Sequence, residues 1–143
     1  MTRFKLVSAV HLFLTKDDKI LLLRRYNTGY EDGNYSVIAG HLDGGEEVKT
    51  AMIREAKEEV GIDIAGEDLT VAQVMHRLSE DERIDFFLHA SKWSSEIHNR
   101  EPDKCDELSW HPLDDLPVNI IPYVARAIDN YRQQIWFDSF GWT

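Results

Sequence analysis

One cysteine, Cys105, stands in 143 residues, so no intrachain disulfide can form and a disulfide-stapled fold is excluded. No basic run is longer than Arg24-Arg25, and the formal net charge is -10. A long nucleic acid would be repelled by such a surface, so nucleic acid is not the expected partner. Long apolar runs are missing too. Val7 to Leu14 is short and is interrupted by His11, so neither a signal peptide nor a membrane span is read, and a cytoplasmic setting is expected. The six histidines make no zinc spacing with one another or with Cys105. No repeat or low-complexity segment is present.

The remaining composition, 43% hydrophobic and 29% charged, is that of a globular chain, and 143 residues suit one domain over residues 1–143. Leu6 to Leu14 and Ile20 to Leu23 read as a hairpin around Lys16-Asp17-Asp18-Lys19. Asn27 to Asn34 reads as a loop, Tyr35 to Ala39 as a short strand, and Gly40 to Gly45 as a glycine-rich loop. Glu46 to Val60 lacks Gly and Pro and predicts a helix stopped by Gly61. Two strands follow, Leu69 to Leu78 and Ile84 to Trp93. A short strand at Leu108 to Pro112 and a second helix from Pro122 to Gln134 complete the order. Helices and strands mixed around one sheet give an α/β or α+β class.

The first helix has its acids in an unexpected place. At about 100° per residue from Val48, Ala51, Met52 and Ala56 fall at about 300°, 40° and 80°. Glu55 and Glu59 fall inside that apolar arc, near 340° and 20°, with Glu58 beside it near 280°. Like charges this close repel, and part-buried carboxylates are unfavourable unless paired. Hard oxygen donors in a cluster suit Mg²⁺, with Mn²⁺ as the alternative. The glycine loop ahead lets backbone approach a ligand, and a helix N-terminus favours anions. A solvated acidic face is the competing reading.

Gly40, five residues, Glu46, seven residues, then Arg54-Glu55-Ala56-Lys57-Glu58-Glu59-Val60-Gly61-Ile62 resembles the Nudix box throughout. The resemblance implies a Nudix-type α/β/α sandwich with a mixed sheet between helices. It implies Mg²⁺-dependent hydrolysis of a phosphoanhydride in a small nucleotide-type substrate. A (deoxy)nucleoside triphosphate giving monophosphate and pyrophosphate is the first expectation. Nucleotide sugars, dinucleoside polyphosphates and a non-catalytic ligand-sensing module stay open. By the same resemblance Glu55, Glu58 and Glu59 are the metal-binding and catalytic glutamates, with Glu55 as base. The Ala39 carbonyl is a further metal ligand, and Arg54 with Glu46 steadies the loop. Many relatives carry Pro-Gly-Gly where this chain has Ile38-Ala39-Gly40-His41. A later acid is expected to complete the site. Of Glu101, Asp103, Asp106 and Glu107, Glu101 is taken. Substrate-binding candidates are Arg24 or Arg25 for phosphate, Tyr35 for stacking, His41 in the box loop, and Asn119 for reading a base. The aromatic stretch Trp136 to Trp142 is a candidate homodimer surface.

Overall fold

The computed structural model describes residues 2–143. Its central strand is β1 (Val7–Lys16), which lends both edges to partners. On one side β1 pairs antiparallel with β4 (Ile38–His41). On the other it pairs parallel with β6 (Glu82–Ala90), from Val7 opposite Arg83 to Leu14 opposite Ala90. Beyond β6 lie β5 (Thr70–Leu78), antiparallel to it, and the edge strand β8 (Phe137–Phe140), parallel to β5. A smaller group holds β2 (Lys19–Arg25) between β3 (Tyr35–Ser36) and β7 (Cys105–Pro112), both antiparallel to it.

Alternation along the strands sorts the core into two layers. Val10, Leu12, Leu14, Leu21, Leu23 and Leu88 face α1 (Val48–Val60), whose Ala51, Met52, Ala56 and Val60 are buried. Phe13, Ile20, Leu22 and Phe87 face α2 (Pro122–Arg132), with Val124, Ala127 and Ile128. Burial on both faces explains why β1 and β2 read as nearly unbroken apolar runs. The result is a mixed sheet between helices, as the sequence implied.

Several boundaries differ from the sequence reading. The expected hairpin survives only at its tip, where Thr15 faces Ile20 and Lys16 faces Lys19. Asp17 and Asp18 both take positive φ there, as a two-residue I′ turn requires. The strands then part, because β1 is hydrogen-bonded along both edges by β4 and β6. The single strand expected over Tyr35 to Ala39 splits into β3 and β4, which belong to different strand groups. Helix α1 begins at Val48, two residues late. The Glu47 carboxylate caps it by accepting from Thr50 N–H. Strand β7 starts earlier, at Cys105, and β8 was not foreseen; Trp136 and Phe137 remain largely exposed at its start. Among the described residues no helix is long and apolar enough to cross a membrane.

One charged group sits inside the α2-facing layer. Asp85 on β6 is fully buried. It accepts from Arg77 Nε at 2.7 Å and from His11 Nε2 at 3.0 Å. Burial opposes its charge, but the hydrogen bonds and charges of His11 and Arg77 outweigh burial and hold it at about 2. An unfolded Asp titrates near 3.9. The stabilisation is therefore complete above about pH 4 and is lost as pH falls toward about 2. Urea denaturation should show Asp85→Asn weakening the fold by about 3–5 kcal/mol at pH 7, since Arg77 stays buried without a counter-charge. The deficit should shrink between about pH 4 and 2; a constant deficit across that range contradicts the assignment.

Candidate active site

The acids of α1 face a cavity of about 470 Å³. Leu23 and Arg25 of β2, Thr28, Ala39-Gly40-His41, Glu55, Glu58, Glu59, and the segment Glu101, Lys104 and Cys105 line it. Each wall has a local cause. Helix α1 ends at Gly61, whose φ of 76° is left-handed and against whose Cα the His98 ring packs, leaving no room for a side chain. The chain then returns and docks on the last turn of α1. His98 N–H donates to Val60 O at 3.1 Å and Arg100 N–H to Glu59 O at 3.0 Å. The Asn99 side chain accepts from Glu101 N–H at 2.9 Å, and Glu101 O takes the N–H groups of Lys104 and Cys105. That turn brings Glu101 to Glu59.

Gly40 meets the other flank. A Cβ there would overlap the Glu55 carboxylate, so the close seat of Glu55 against β4 exists only because position 40 has no side chain. Arg54 gathers the rest. It donates to both Glu46 oxygens, at 2.6 and 3.2 Å, to Glu55 Oε1 at 2.9 Å and to Glu58 Oε2 at 3.4 Å. Its hydrogen bonds with Glu46 raise its own pKa and lower that of Glu46, fixing the pair as ions. The expected link from box loop to helix is thus present as contacts.

Glu59 is different. Its Oε2 is buried and finds no hydrogen-bond partner among the described residues. Burial first, then the neighbouring Glu55 and Glu101, push its carboxyl well above the usual range; the Ala39 backbone N–H opposes them. Exposed pairs such as Arg54 with Glu58 contribute roughly 0–1 kcal/mol. The effective penalty for burying a carboxylate charge is several kcal/mol. Arg54 therefore does not offset Glu59, and a cation beside it would. Among the described residues no three His, Cys, Asp or Glu side chains converge on one point at ligand distance. Even so, the donors are all hard oxygens, one is buried and unpaired, and Gly40 lets the Glu55 carboxylate sit close against β4. That set fits a divalent Mg²⁺ or Mn²⁺.

Of the sequence candidates, Ala39, His41, Arg25, Glu55, Glu58, Glu59 and Glu101 share this cavity. Arg24, Tyr35 and Asn119 do not. Successive β2 residues face opposite ways, and Arg24 is bidentate to Asp106, at 2.8 and 3.1 Å. Tyr35 donates its hydroxyl to Glu107 at 2.6 Å. Asn119 is exposed and donates to Gly33 O at 2.8 Å, bracing the 27–34 loop. The same pairs turn Asp106 and Glu107 away from the cavity. Arg25 also holds that loop, through Tyr30 O and Thr28 Oγ1. Sequence reasoning missed Lys104, a lone cation amid the acids from Glu101 to Glu107, and it missed the role of His11. The break His11 makes in an apolar strand was the available signal.

A family model described as NUDIX domain matches residues 5–133. The chain is 31% identical over 116 residues to an NAD-capped RNA hydrolase NudC of Pseudomonas aeruginosa, covering 79% of this chain and 38% of that protein. It is 41% identical over 54 residues to an ADP-ribose pyrophosphatase of Methanocaldococcus jannaschii, covering 38% of this chain and 31% of that one. The chain thus spans under two-fifths of the length of these relatives. Among solved structures, a MutT NUDIX hydrolase from Burkholderia pseudomallei superposes with TM-score 0.80 at 26% identity, over 88% of this chain and 98% of that one. A MutT protein from Methanosarcina mazei Go1 does so at 0.78 and 16% identity, over 94% and 98%, which shows the fold alone.

The seat of Glu55 gives a direct test. Gly40→Ala should lower turnover by about a hundredfold, the scale of a 1 Å misplacement of a reacting group, while circular dichroism stays that of the parent. Unchanged turnover would show that Glu55 has room to spare.

Proposed function

The chain belongs to the Nudix family, and from that premise we propose that it hydrolyses a phosphoanhydride bond in a small nucleoside diphosphate-linked substrate, with Mg²⁺ or Mn²⁺ as cofactor. The observation that carries this reading is the buried, unpartnered oxygen of Glu59 set between Glu55 and Glu101. Glu55, Glu58, Glu59, the Ala39 carbonyl and Glu101 would hold the ion. When bound, it neutralises phosphate oxygens and makes a water more acidic.

The chain's own groups supply the rest. Arg25, His41 and Lys104 line the cavity beside the acids, where they bind phosphate oxygens and offset the charge that builds on the leaving group. Glu55, held by Arg54 against Gly40, takes the proton of the attacking water. The water oxygen bonds to phosphorus. The bridging P–O bond breaks, and its electron pair leaves on the departing phosphate. Glu58 is exposed at the rim and Glu59 is deep, so the ion would be gripped from two depths.

Within the class, a (deoxy)nucleoside triphosphate yielding monophosphate and pyrophosphate is the first substrate to test. The names of the sequence relatives favour a second reading, a diphosphate bridging two groups, as in NAD or ADP-ribose. Incubation of the chain with Mg²⁺ and a panel of triphosphates, nucleotide sugars, ADP-ribose, NAD and dinucleoside polyphosphates, with products identified by mass, separates them. Hydrolysis should be lost on chelation and should fall at least a hundredfold in Glu58→Gln and Glu59→Gln, as for loss of a charge-stabilising group. Metal-independent turnover, or full activity in both variants, overturns the proposal. No turnover of any panel member points to a ligand-sensing module instead.

A further inference from the structure

Arg25 lines the acidic cavity as a charge that the protein leaves unmatched. Its neighbour Arg24 pairs with Asp106, and Arg54, Arg77 and Arg126 each pair with an acid as well. Arg25 has no carboxylate partner among the described residues, in a chain whose formal net charge is -10.

Neutral groups grip it instead. Nε donates to Tyr30 O at 2.6 Å and Nη2 to Thr28 Oγ1 at 3.0 Å, and the Tyr30 ring lies 5.2 Å from the guanidinium carbon. A carbonyl and a hydroxyl fix the direction of a guanidinium without cancelling its charge; a carboxylate would do both. The two hydrogen bonds also fall on one edge of the planar group. Nη1 meets no protein acceptor among the described residues, so the edge formed by Nη1 and Nη2 keeps free N–H groups. Such a fork matches two oxygens of one phosphate.

The Thr28 hydroxyl is held in turn. Its one hydrogen goes to Asp32 Oδ1, charged and at 2.6 Å, ahead of Tyr30 O at 3.0 Å, which leaves the oxygen to accept from Arg25. The Asp32 carboxylate also accepts the backbone N–H groups of Thr28, at 3.0 and 3.1 Å, and of Gly29, at 2.9 Å. These hydrogen bonds, the Thr28 hydroxyl first, hold Asp32 below the usual carboxylate range. Asn27 and Glu31 take positive φ, 55° and 51°, so the path of this loop is unfavourable alone and persists because contacts of this kind fix it. Asp32 makes no ion pair with Arg25; it acts on it through Thr28.

We infer that Thr28 and Asp32 are positioning residues, which hold the Arg25 guanidinium by one edge, leave its charge unspent and present its Nη1 edge to substrate phosphate. This rests on the phosphoanhydride reading of the acidic cavity. A cation aligned before the ligand arrives loses less side-chain freedom on binding.

Calorimetry with α,β-methylene-ADP and Mg²⁺ tests it, since that diphosphate has no anhydride oxygen to cleave. Thr28→Val keeps the backbone N–H that Asp32 accepts and removes only the hydroxyl. It should bind the analogue about tenfold more weakly than the parent, the scale of one hydrogen bond to a charged group. Thr28→Ser should restore the affinity, and Asp32→Asn should fall with Thr28→Val. In an Arg25→Met background, itself weaker than the parent, Thr28→Val should have no further effect, because its influence runs through the guanidinium. Without ligand, the nitrogen-15 signal of Arg25 Nε should move in Thr28→Val and stay in place in Thr28→Ser. Equal affinity of Thr28→Val and parent, a loss that Thr28→Ser leaves unrepaired, a loss that persists beside Arg25→Met, an unmoved Nε signal, or a parent that does not bind the analogue overturns the assignment. Binding that follows the expected pattern in a chain that turns over no phosphoanhydride would remove the hydrolase reading and leave the positioning of Arg25. Turnover with Thr28→Val at the parental kcat and KM would do the reverse.

Discussion

Among the described residues Glu59 Oε2 is buried with no hydrogen-bond partner, and the architecture around the cleft is organised by that fact. Its neighbours are Glu55 and Glu101, both of its own sign. The nearby cation, Arg54, is engaged with Glu46, Glu55 and Glu58 and sits too near solvent to compensate a buried charge. A folded chain that keeps such a group buried forgoes several kcal/mol unless something external neutralises it. The absent side chain at Gly40, the left-handed stop at Gly61 and the return of 98–101 onto α1 all hold the three acids in that crowded state.

Around this point the sheet acts as a two-sided partition. Strand β1 sends Val10, Leu12 and Leu14 toward α1 and His11 and Phe13 toward α2. The α1 side ends in unmatched negative charge. The α2 side carries a matched set, Asp85 with Arg77 and His11. The strip Ala39-Gly40-His41 at the end of β4, together with Arg25, lines the acidic cavity and also a smaller one on the α2 side bounded by His11, Arg83 and Tyr123. The 27–34 loop borders this junction through Thr28 and Tyr30 and is held by Arg25 and by Asn119.

Much of this was legible in the chain. The helical arc placed Glu55 and Glu59 inward, and Glu59 is the deeper because only the last turn of α1 lies beneath the returning loop. The Gly61 stop follows from residue type and position, and the Arg54–Glu46 link is implied by the resemblance to the Nudix box. Alternation predicted that Arg24 and Arg25 would face opposite ways, but which one entered the cleft was not written there. Asp106 decides it, since it reaches Arg24 across the β2–β7 pair, 82 positions away in sequence. Tyr35 and Asn119 look equally suited to a ligand until Glu107 and Gly33 O are found on them.

The sequence by itself determined the family resemblance, the acid-bearing helix and its stop at Gly61, because each depends on residues within a few turns of one another. The tertiary structure alone decided which arginine lines the acidic cavity, that Glu101 joins Glu59, and that His11 pairs with Asp85. Those outcomes depend on partners brought together from distant strands, and local periodicity carries no record of which distant group takes up a side chain's hydrogen bonds.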